Sequence, residues 1–248
     1  FDHAKGYICI EDNKPDCIAK LRELVKGHSR IEVKEVMTKY PQGGERTLIY
    51  ATTGRKINSS MLPADAGCVV DNVDTVVAVY KAVILGRPVM NRIVTVTGDA
   101  ITSPKNFTVL TGTNMEELIE AAGGLKTDAA KVISGGPMMG FAMFDLHVPC
   151  VKTTSAFLCL EKDAVSEAQK QMTACINCGR CVRVCPGRVL PARLATLAER
   201  GDMAGFEKLN GMECCECGCC SYVCPAKRPL TQSIKSMRKM VLASRRKK

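Results

Sequence analysis

"CINCGRCVRVCP", residues 175–186, and "CCECGCCSYVCP", residues 214–225, place four cysteines at the same spacing twice, each run closed by a proline. The pattern is C-x2-C-x2-C-x3-C-P. Three thiolates two residues apart on a curling loop can grip three corners of an iron–sulfur cube, while the fourth, after three more residues, points away and serves the other cube. This assigns one [4Fe-4S] cluster to Cys175, Cys178, Cys181 and Cys224, and a second to Cys214, Cys217, Cys220 and Cys185. Gly179 and Gly218 inside the loops let backbone N–H groups approach the sulfurs. Structural zinc, the rival, uses paired C-x2-C knuckles and needs neither a third cysteine at the same step nor a terminal C-P. Cys215 and Cys219 are off register. Cys9, Cys17, Cys68, Cys150 and Cys159 read as small buried hydrophobes, and His3, His28 and His147 form no motif.

Working outward, residues 186–213 read as two short helices joined at Gly201-Asp202, so the two-cluster region is expected to be mostly helical. Toward the N-terminus the pattern changes. Gly6 to Ile10 is an apolar run, and Pro15 opens a helix with Cys17, Ile18, Leu21, Leu24 and Val25 at helical spacing. Ile31 and Val33 alternate with charges as a second strand. "YPQGGE" leads into a helix over residues 45–53 that Gly54 ends. Cys68 to Val70 reads as a third strand, and Asp71 or Asn72 caps a helix through Leu85, closed by Gly86. Alternating strands and helices imply an α/β domain over residues 1–87. Residues 88–150 read as a small sheet crossed by one helix, a β-grasp unit, with Thr113 and Glu116 forming a capping box, Gly123-Gly124 a stop and "GGPMMG" a turn. Residues 151–248 form the cysteine domain.

Composition excludes several classes. Fifteen clustered cysteines with no signal-peptide pattern point to a reducing compartment rather than a disulfide framework. No apolar run approaches the roughly 18 residues of a membrane span; Val76 to Leu85 is broken by Lys81. The net charge of +10 suggests nucleic acid at first. However, Lys227, Arg228, Lys235, Arg238, Lys239, Arg245, Arg246, Lys247 and Lys248 all follow the last cysteine with no acid among them, and the body is close to neutral. Aromatic residues are 4% and Trp is absent, which leaves no stacking platform for single strands. A zinc-stabilised nucleic-acid binder is therefore the weaker reading. Ile234, Met237, Met240 and Val241 suggest a C-terminal helix with an apolar stripe and a basic face, expected to dock on a membrane complex near anionic lipid.

Taken together, "KYPQGGERTLIYATTGR", "LPADAGCVVDNVDTVVAVYKAV", "VTVTGDAI", "GTNMEELIEAAGG", "KVISGGPMMGFAM" and the two cysteine runs resemble the RnfC family, the C-subunits of the Rnf ion-translocating ferredoxin:NAD+ oxidoreductase complex. The likeness spans essentially the whole chain. That family is similar to the flavoprotein subunit of respiratory complex I, and its middle module is an SLBB domain. The implied fold is a multi-domain α/β chain: a partial FMN- and NADH-binding α/β domain, a β-grasp SLBB domain and a helical two-cluster ferredoxin domain.

The resemblance also implies the remaining site residues. "YPQGGE" resembles the flavin-proximal loop, which puts Tyr40, Gly43, Gly44 and Glu45 near FMN and the nicotinamide. "VVDNVDT" resembles the second flavin segment, with Asp71, Asn72 and Thr75 toward the FMN phosphate and ribityl chain; "EDNK" at residues 11–14 is a weaker candidate. By themselves these are a glycine-containing loop and ordinary helix caps. The implied cofactors are two [4Fe-4S] clusters and FMN, with NADH as substrate. The implied partners are integral-membrane and ferredoxin-like Rnf subunits, with the protein peripheral to the cytoplasmic face of the cell membrane. The family carries a glycine-rich loop and an acidic Asn-containing segment upstream of where this chain begins, so the chain reads as an N-terminally truncated fragment, weak in FMN binding and inactive alone with NADH. The alternative is a soluble flavin and iron–sulfur reductase, such as a cobalamin reductase.

Overall fold

The computed structural model describes residues 3–246. They fall into two units, one running to Asp71 and one from Asn72 onward. In the first unit, strand β1 (Gly6–Glu11), helix α1 (Pro15–Leu24) and strand β2 (Ile31–Val36) make one βαβ turn, with the strands parallel from Gly6↔Ile31 to Glu11↔Val36. Pro15 sits in the first turn of α1, where its missing N–H costs nothing. Ile18 of α1, Val33 and Val36 of β2, and Ile49 of helix α2 (Glu45–Thr53) are buried. Gly54 ends α2 in the left-handed region at φ 73°, as its position after the last helical residue predicts.

The expected third strand at Cys68 to Val70 does not form. The Cys68 N–H bonds to the Pro63 carbonyl at 3.0 Å, closing the 3-10 turn Pro63–Ala66, and Val69 is 86% exposed. With its donor spent on the turn, the segment has no ladder to join.

The second unit opens with helix α3 (Val73–Val83), capped by Asn72, whose Oδ1 accepts the Asp74 N–H at 2.9 Å. The helix stops two residues short of the expected Leu85, and none of its residues is buried. A five-stranded sheet follows, formed by β3 (Asn91–Thr97), β4 (Lys105–Leu110), β5 (Lys131–Ser134), β6 (Phe141–Met143) and β7 (Ala156–Leu160) in the order β4-β3-β7-β5-β6. Helix α4 (Met115–Ala121), between β4 and β5 in the chain, supplies Met115, Leu118 and Ile119 to the same core as Val94, Val96, Val109, Val132 and Phe157. Its cap is Asn114, one residue past the expected Thr113: Asn114 Oδ1 takes the Glu116 N–H at 3.0 Å. The central strand β7 pairs parallel with β3 and antiparallel with β5, so the sheet continues past residue 150, where the β-grasp region was expected to end.

From residue 164 onward the described residues form helices joined by loops. Helices α5 (Ala164–Lys170), α6 (Arg180–Arg183), α7 (Pro191–Glu199), α8 (Met203–Lys208), α9 (Cys219–Tyr222) and α10 (Leu230–Arg246) follow in order. Glycine at 201 separates α7 from α8, as the linker sequence suggested. Leu194 of α7, Phe206 of α8 and Ile234, Met237 and Val241 of α10 are fully buried together.

The expected docking stripe is thereby corrected. Ile234, Met237 and Val241 are core residues of this domain, and Met240, at 52% exposure, lies off the stripe. Four of the nine basic residues are also matched within the domain. Arg228 meets Glu199 at 2.6 Å, Lys235 and Arg238 share Glu216, and Arg245 meets Glu207 at 2.5 Å. Lys247 and Lys248 lie outside the described residues. Among the described residues no helix is long and apolar enough to cross a membrane.

Candidate metal centres and flavin segments

The two cysteine runs adopt the same backbone path. Asn177 and Gly179 in the first run, and Glu216 and Gly218 in the second, all take positive φ, between 54° and 84°. Those left-handed residues curl each loop so that cysteines two apart can share one side. One turn of helix then carries the third and, just past its end, the fourth cysteine: α6 in the first run, α9 in the second. After each C-P pair comes another left-handed residue, Arg188 (φ 51°) and Lys227 (φ 53°), and then a longer helix, α7 and α10. The sequence repeat is thus a structural repeat that includes the flanking helices, and α7 and α10 supply Leu194 and Ile234 to one core.

The repeat brings the runs together crosswise. Cys185, the fourth cysteine of the first run, lines one small cavity with Cys214, Cys215, Cys217 and Cys220 of the second, walled by Val189, Pro191 and Ile234. Five thiols from two segments, the four in register and Cys215, around a cavity with apolar walls include a donor set that suits an iron–sulfur cube. On the other side, Cys181 and Cys224 pack against the cluster of Ala195, Cys220 and Leu230. A backbone bond from the Thr173 N–H to the Ala226 carbonyl, 3.0 Å, holds the start of the first run beside the end of the second. Cys175 and Cys178 are exposed on the loop before α6. Among the described residues no three Cys, His, Asp or Glu side chains converge as they would on a single ion.

Thiol chemistry at the inner set follows from burial and from sulfur–hydrogen contacts. Burial pushes the Cys214 thiol up to about 11, against the lowering effect of the Glu216 N–H that reaches its Sγ at 3.4 Å. Burial also raises Cys220, whose Sγ lies 3.3 Å from Thr231 Oγ1. Cys217 is held down to about 5, chiefly by the Cys215 thiol and, after the opposing effect of burial, by Cys219. The off-register Cys215 and Cys219 are thus neighbours of Cys217, a placement sequence reasoning did not give them. Thr231 was missed too, because nothing in a linear reading links it to Cys220. Elsewhere Cys150 and Cys159 are buried as expected and Cys9 and Cys68 half-buried, but Cys17 is exposed.

The flavin segments lie in both units. Tyr40, Gly43 and Gly44 lie on one loop that begins with the cis Tyr40–Pro41 peptide and leads into α2, whose first residue is Glu45. Neither Gly43 nor Gly44 has positive φ. A side chain at Gly43 would meet nothing within 4 Å, and at Gly44 its nearest neighbour would be the Pro41 carbonyl at 3.6 Å. No contact within the chain calls for glycine at these positions, which fits a ligand that approaches the backbone closely. Asp12 of "EDNK" anchors the lead into this loop by accepting both the Thr38 hydroxyl (2.6 Å) and the Thr38 N–H (3.0 Å). Asp71 ends the first unit, while Asn72 and Thr75 stand at the start of α3 in the second, where Asn72 serves as the helix cap.

Comparison with known proteins agrees along the chain. Residues 1–81 match the Nuo51 FMN-binding domain family, residues 93–142 the SLBB domain and residues 174–227 the 4Fe-4S dicluster domain. The chain is 44% identical over 98% of its length to the C-subunit of the Na(+)-translocating ferredoxin:NAD(+) oxidoreductase complex of Acetobacterium woodii, covering 54% of it. It is 42% identical over 94% of its length to the proton-translocating counterpart of Clostridium ljungdahlii, covering 51%. It is also 43% identical over 75% of its length to the C-subunit of the ion-translocating oxidoreductase complex of Pseudomonas aeruginosa, covering 24%. The chain thus spans about half the length of the first two relatives. In fold it resembles a chain of an NAD+-reducing [NiFe]-hydrogenase, with a TM-score of 0.56 at 16% identity over 97% of this chain and 48% of that one.

Proposed function

Since the chain belongs to the RnfC family of ion-translocating ferredoxin:NAD+ oxidoreductase complexes, we propose that it is the part of such a protein that carries electrons between a flavin and two [4Fe-4S] clusters. When bound, each cluster supplies a one-electron centre, and FMN exchanges the electron pair of a nicotinamide hydride for single electrons. Cys175, Cys178, Cys181 and Cys224 hold one cluster; Cys214, Cys217, Cys220 and Cys185 hold the other. The observation that carries this reading is the cavity that Cys185 shares with cysteines of the opposite run, Cys214, Cys217 and Cys220 among them.

The remaining residues position these groups. Val189, Pro191 and Ile234 keep water from the inner thiols, and the Glu216 N–H and Thr231 hydroxyl stabilise thiolate charge on Cys214 and Cys220. Gly43 and Gly44 let the flavin ring approach the backbone before α2, with Tyr40 and Glu45 beside it. Taken by itself, the start of α3, where Asn72 and Thr75 follow Asp71, offers free N–H groups that would favour an anion such as the FMN phosphate. The protein works with the integral-membrane and ferredoxin-like members of the complex, peripheral to the cytoplasmic face of the membrane, with NADH as the hydride source.

Anaerobic purification followed by an absorption spectrum and iron and sulfide assays tests the reading. Brown protein with about eight iron and eight sulfide per chain is the expected result. Colourless protein that retains zinc after anaerobic reconstitution would sink it.

A further inference from the structure

The inner cavity carries one more thiol than a four-cornered cluster takes. Cys185, Cys214, Cys217 and Cys220 line it, and so does Cys215, the second residue of the second run. The repeat supplies its own comparison. At the matching position of the first run stands Ile176, an exposed side chain with no group to offer a metal, so that run holds no spare thiol. Cys219, the other off-register cysteine, is absent from the cavity wall. Cys215 is largely open to solvent, yet its thiol is in hydrogen-bond contact with that of Cys217. Glu216, between the two, is held in the left-handed region at φ 57°, a curl of the loop that lets the flanking side chains meet.

We propose that Cys215 is a reserve ligand of the inner cluster, able to take over the corner held by Cys217. The inference rests on the reading of Cys185, Cys214, Cys217 and Cys220 as ligands of one cluster. Its own support is the fifth thiol on the same cavity and the contact between Cys215 and Cys217. The exchange balances without an oxidant or reductant. The iron–sulfur bond to Cys217 breaks and one to Cys215 forms, and the proton leaving the Cys215 thiol crosses the contact to the Cys217 sulfur, with every oxidation state unchanged. Where Cys217 is absent or blocked, that proton goes to water. Reach confines the role to one corner, because Cys215 meets Cys217 of its own loop while Cys185 arrives from the other run. Loss of Cys185 is therefore not made good by Cys215.

The test uses the whole chain with its clusters reconstituted anaerobically. It is read by iron and sulfide content, by electron paramagnetic resonance after dithionite reduction, and by iodoacetamide labelling mapped with mass spectrometry. In wild type Cys215 should label and Cys217 should not; the reverse makes Cys215 the resident ligand and overturns the proposal. Cys217→Ala should keep both clusters with the inner signal shifted, and its Cys215 should label about 10-fold more slowly than in wild type, because a coordinated thiolate is no longer a free nucleophile. Adding Cys215→Ala to Cys217→Ala should bring iron toward half. Adding Cys219→Ala should leave iron unchanged, and a loss there would hand the role to Cys219. A Cys217→Ala protein that loses the inner signal while Cys215 labels at the wild-type rate overturns the reserve role and leaves Cys215 a hydrogen-bond partner only. So does one that keeps both clusters with Cys215 still labelling freely. If Cys217→Ala fails to fold, Cys217→Ser replaces it with the same readouts. Failure of both beside an iron-complete wild type also counts against the proposal, since a working reserve would let the chain fold around its cluster. Wild-type protein without iron instead overturns the ligand reading beneath it.

Discussion

Cys185 is the residue at which the sequence pattern and the fold make the same demand. It is the fourth cysteine of its own run, separated from Cys181 by three residues and followed by Pro186, and its thiol shares a cavity with Cys214, Cys217 and Cys220. Cys185→Ser should therefore abolish the electron paramagnetic resonance signal of the cluster in that cavity while sparing the one held by Cys175, Cys178 and Cys181, with iron falling toward half. Selective loss of the other signal would reverse the assignment. This crossing was legible because ligand spacing is local in sequence and the metal supplies the long-range constraint. Asp163 was not legible, since its effect needs a partner far along the chain. Its carboxylate caps α5 through the Val165 and Ser166 N–H groups, both at 3.2 Å, and meets Lys131 of β5 at 2.7 Å. The Lys131 hydrogen bond, opposed by burial and aided by the Ser166 N–H, lowers its pKa. A lowered folded pKa stabilises above the ordinary carboxylate value and is lost as pH falls through the folded one. Asp163→Ala should cost about 1 kcal/mol in urea unfolding at neutral pH, with the difference from wild type shrinking below about pH 4.

At the scale of elements, helices with caps and stops were readable and the central strand of the sheet was not. The α2 stop at Gly54, the α1 start at Pro15 and the α7/α8 break are local signals. β7 is a five-residue apolar run whose strand identity comes from β3 and β5, strands more than twenty residues away in sequence. Its fit is tight at one point. Gly98, at φ 126°, ends β3, and a Cβ there would lie 1.9 Å from the Cys159 carbonyl of β7. The contact is backbone, so no side chain can swing aside. Gly98→Ala should cost about 3 kcal/mol or more, seen as a large fall in melting temperature, because strain and lost pairing act together. A change under 0.5 kcal/mol would mean that β7 does not pack there. In the helical domain, Ile234 of α10 is fully buried and also walls the inner thiol cavity. Ile234→Ala should cost about 3 kcal/mol and speed the loss of iron from that site to a chelator, leaving the outer site less affected.

For the whole molecule, the reading of charge changed most between sequence and structure. Nine basic residues after the last cysteine looked like a free tail because linear sequence cannot show that Glu199, Glu207 and Glu216 lie across from them. Folding redistributes part of the excess: Arg228, Lys235, Arg238 and Arg245 meet glutamates, while Lys239 and Arg246 of α10, like Arg180, Arg183 and Lys227 beside the outer cysteines, are in no ion pair among the described residues. The apolar stripe of α10 is likewise spent inside the domain, since Met237 and Val241 are buried against the α7 and α8 core. Deleting residues 238–248 therefore removes a buried valine and the Arg238–Glu216 and Arg245–Glu207 pairs, and breaks the frame around the inner cavity. The expected outcome is protein that unfolds several degrees earlier and retains less iron, whatever the membrane content of the sample. Neutralising charge alone, with Lys239→Gln, should leave both quantities at wild-type values. If the deletion keeps full iron and stability but leaves native membranes at lower salt than the intact protein, α10 is a docking element after all and its burial contributes little. Equal salt release with falling iron makes it a structural helix, the role its packing supports.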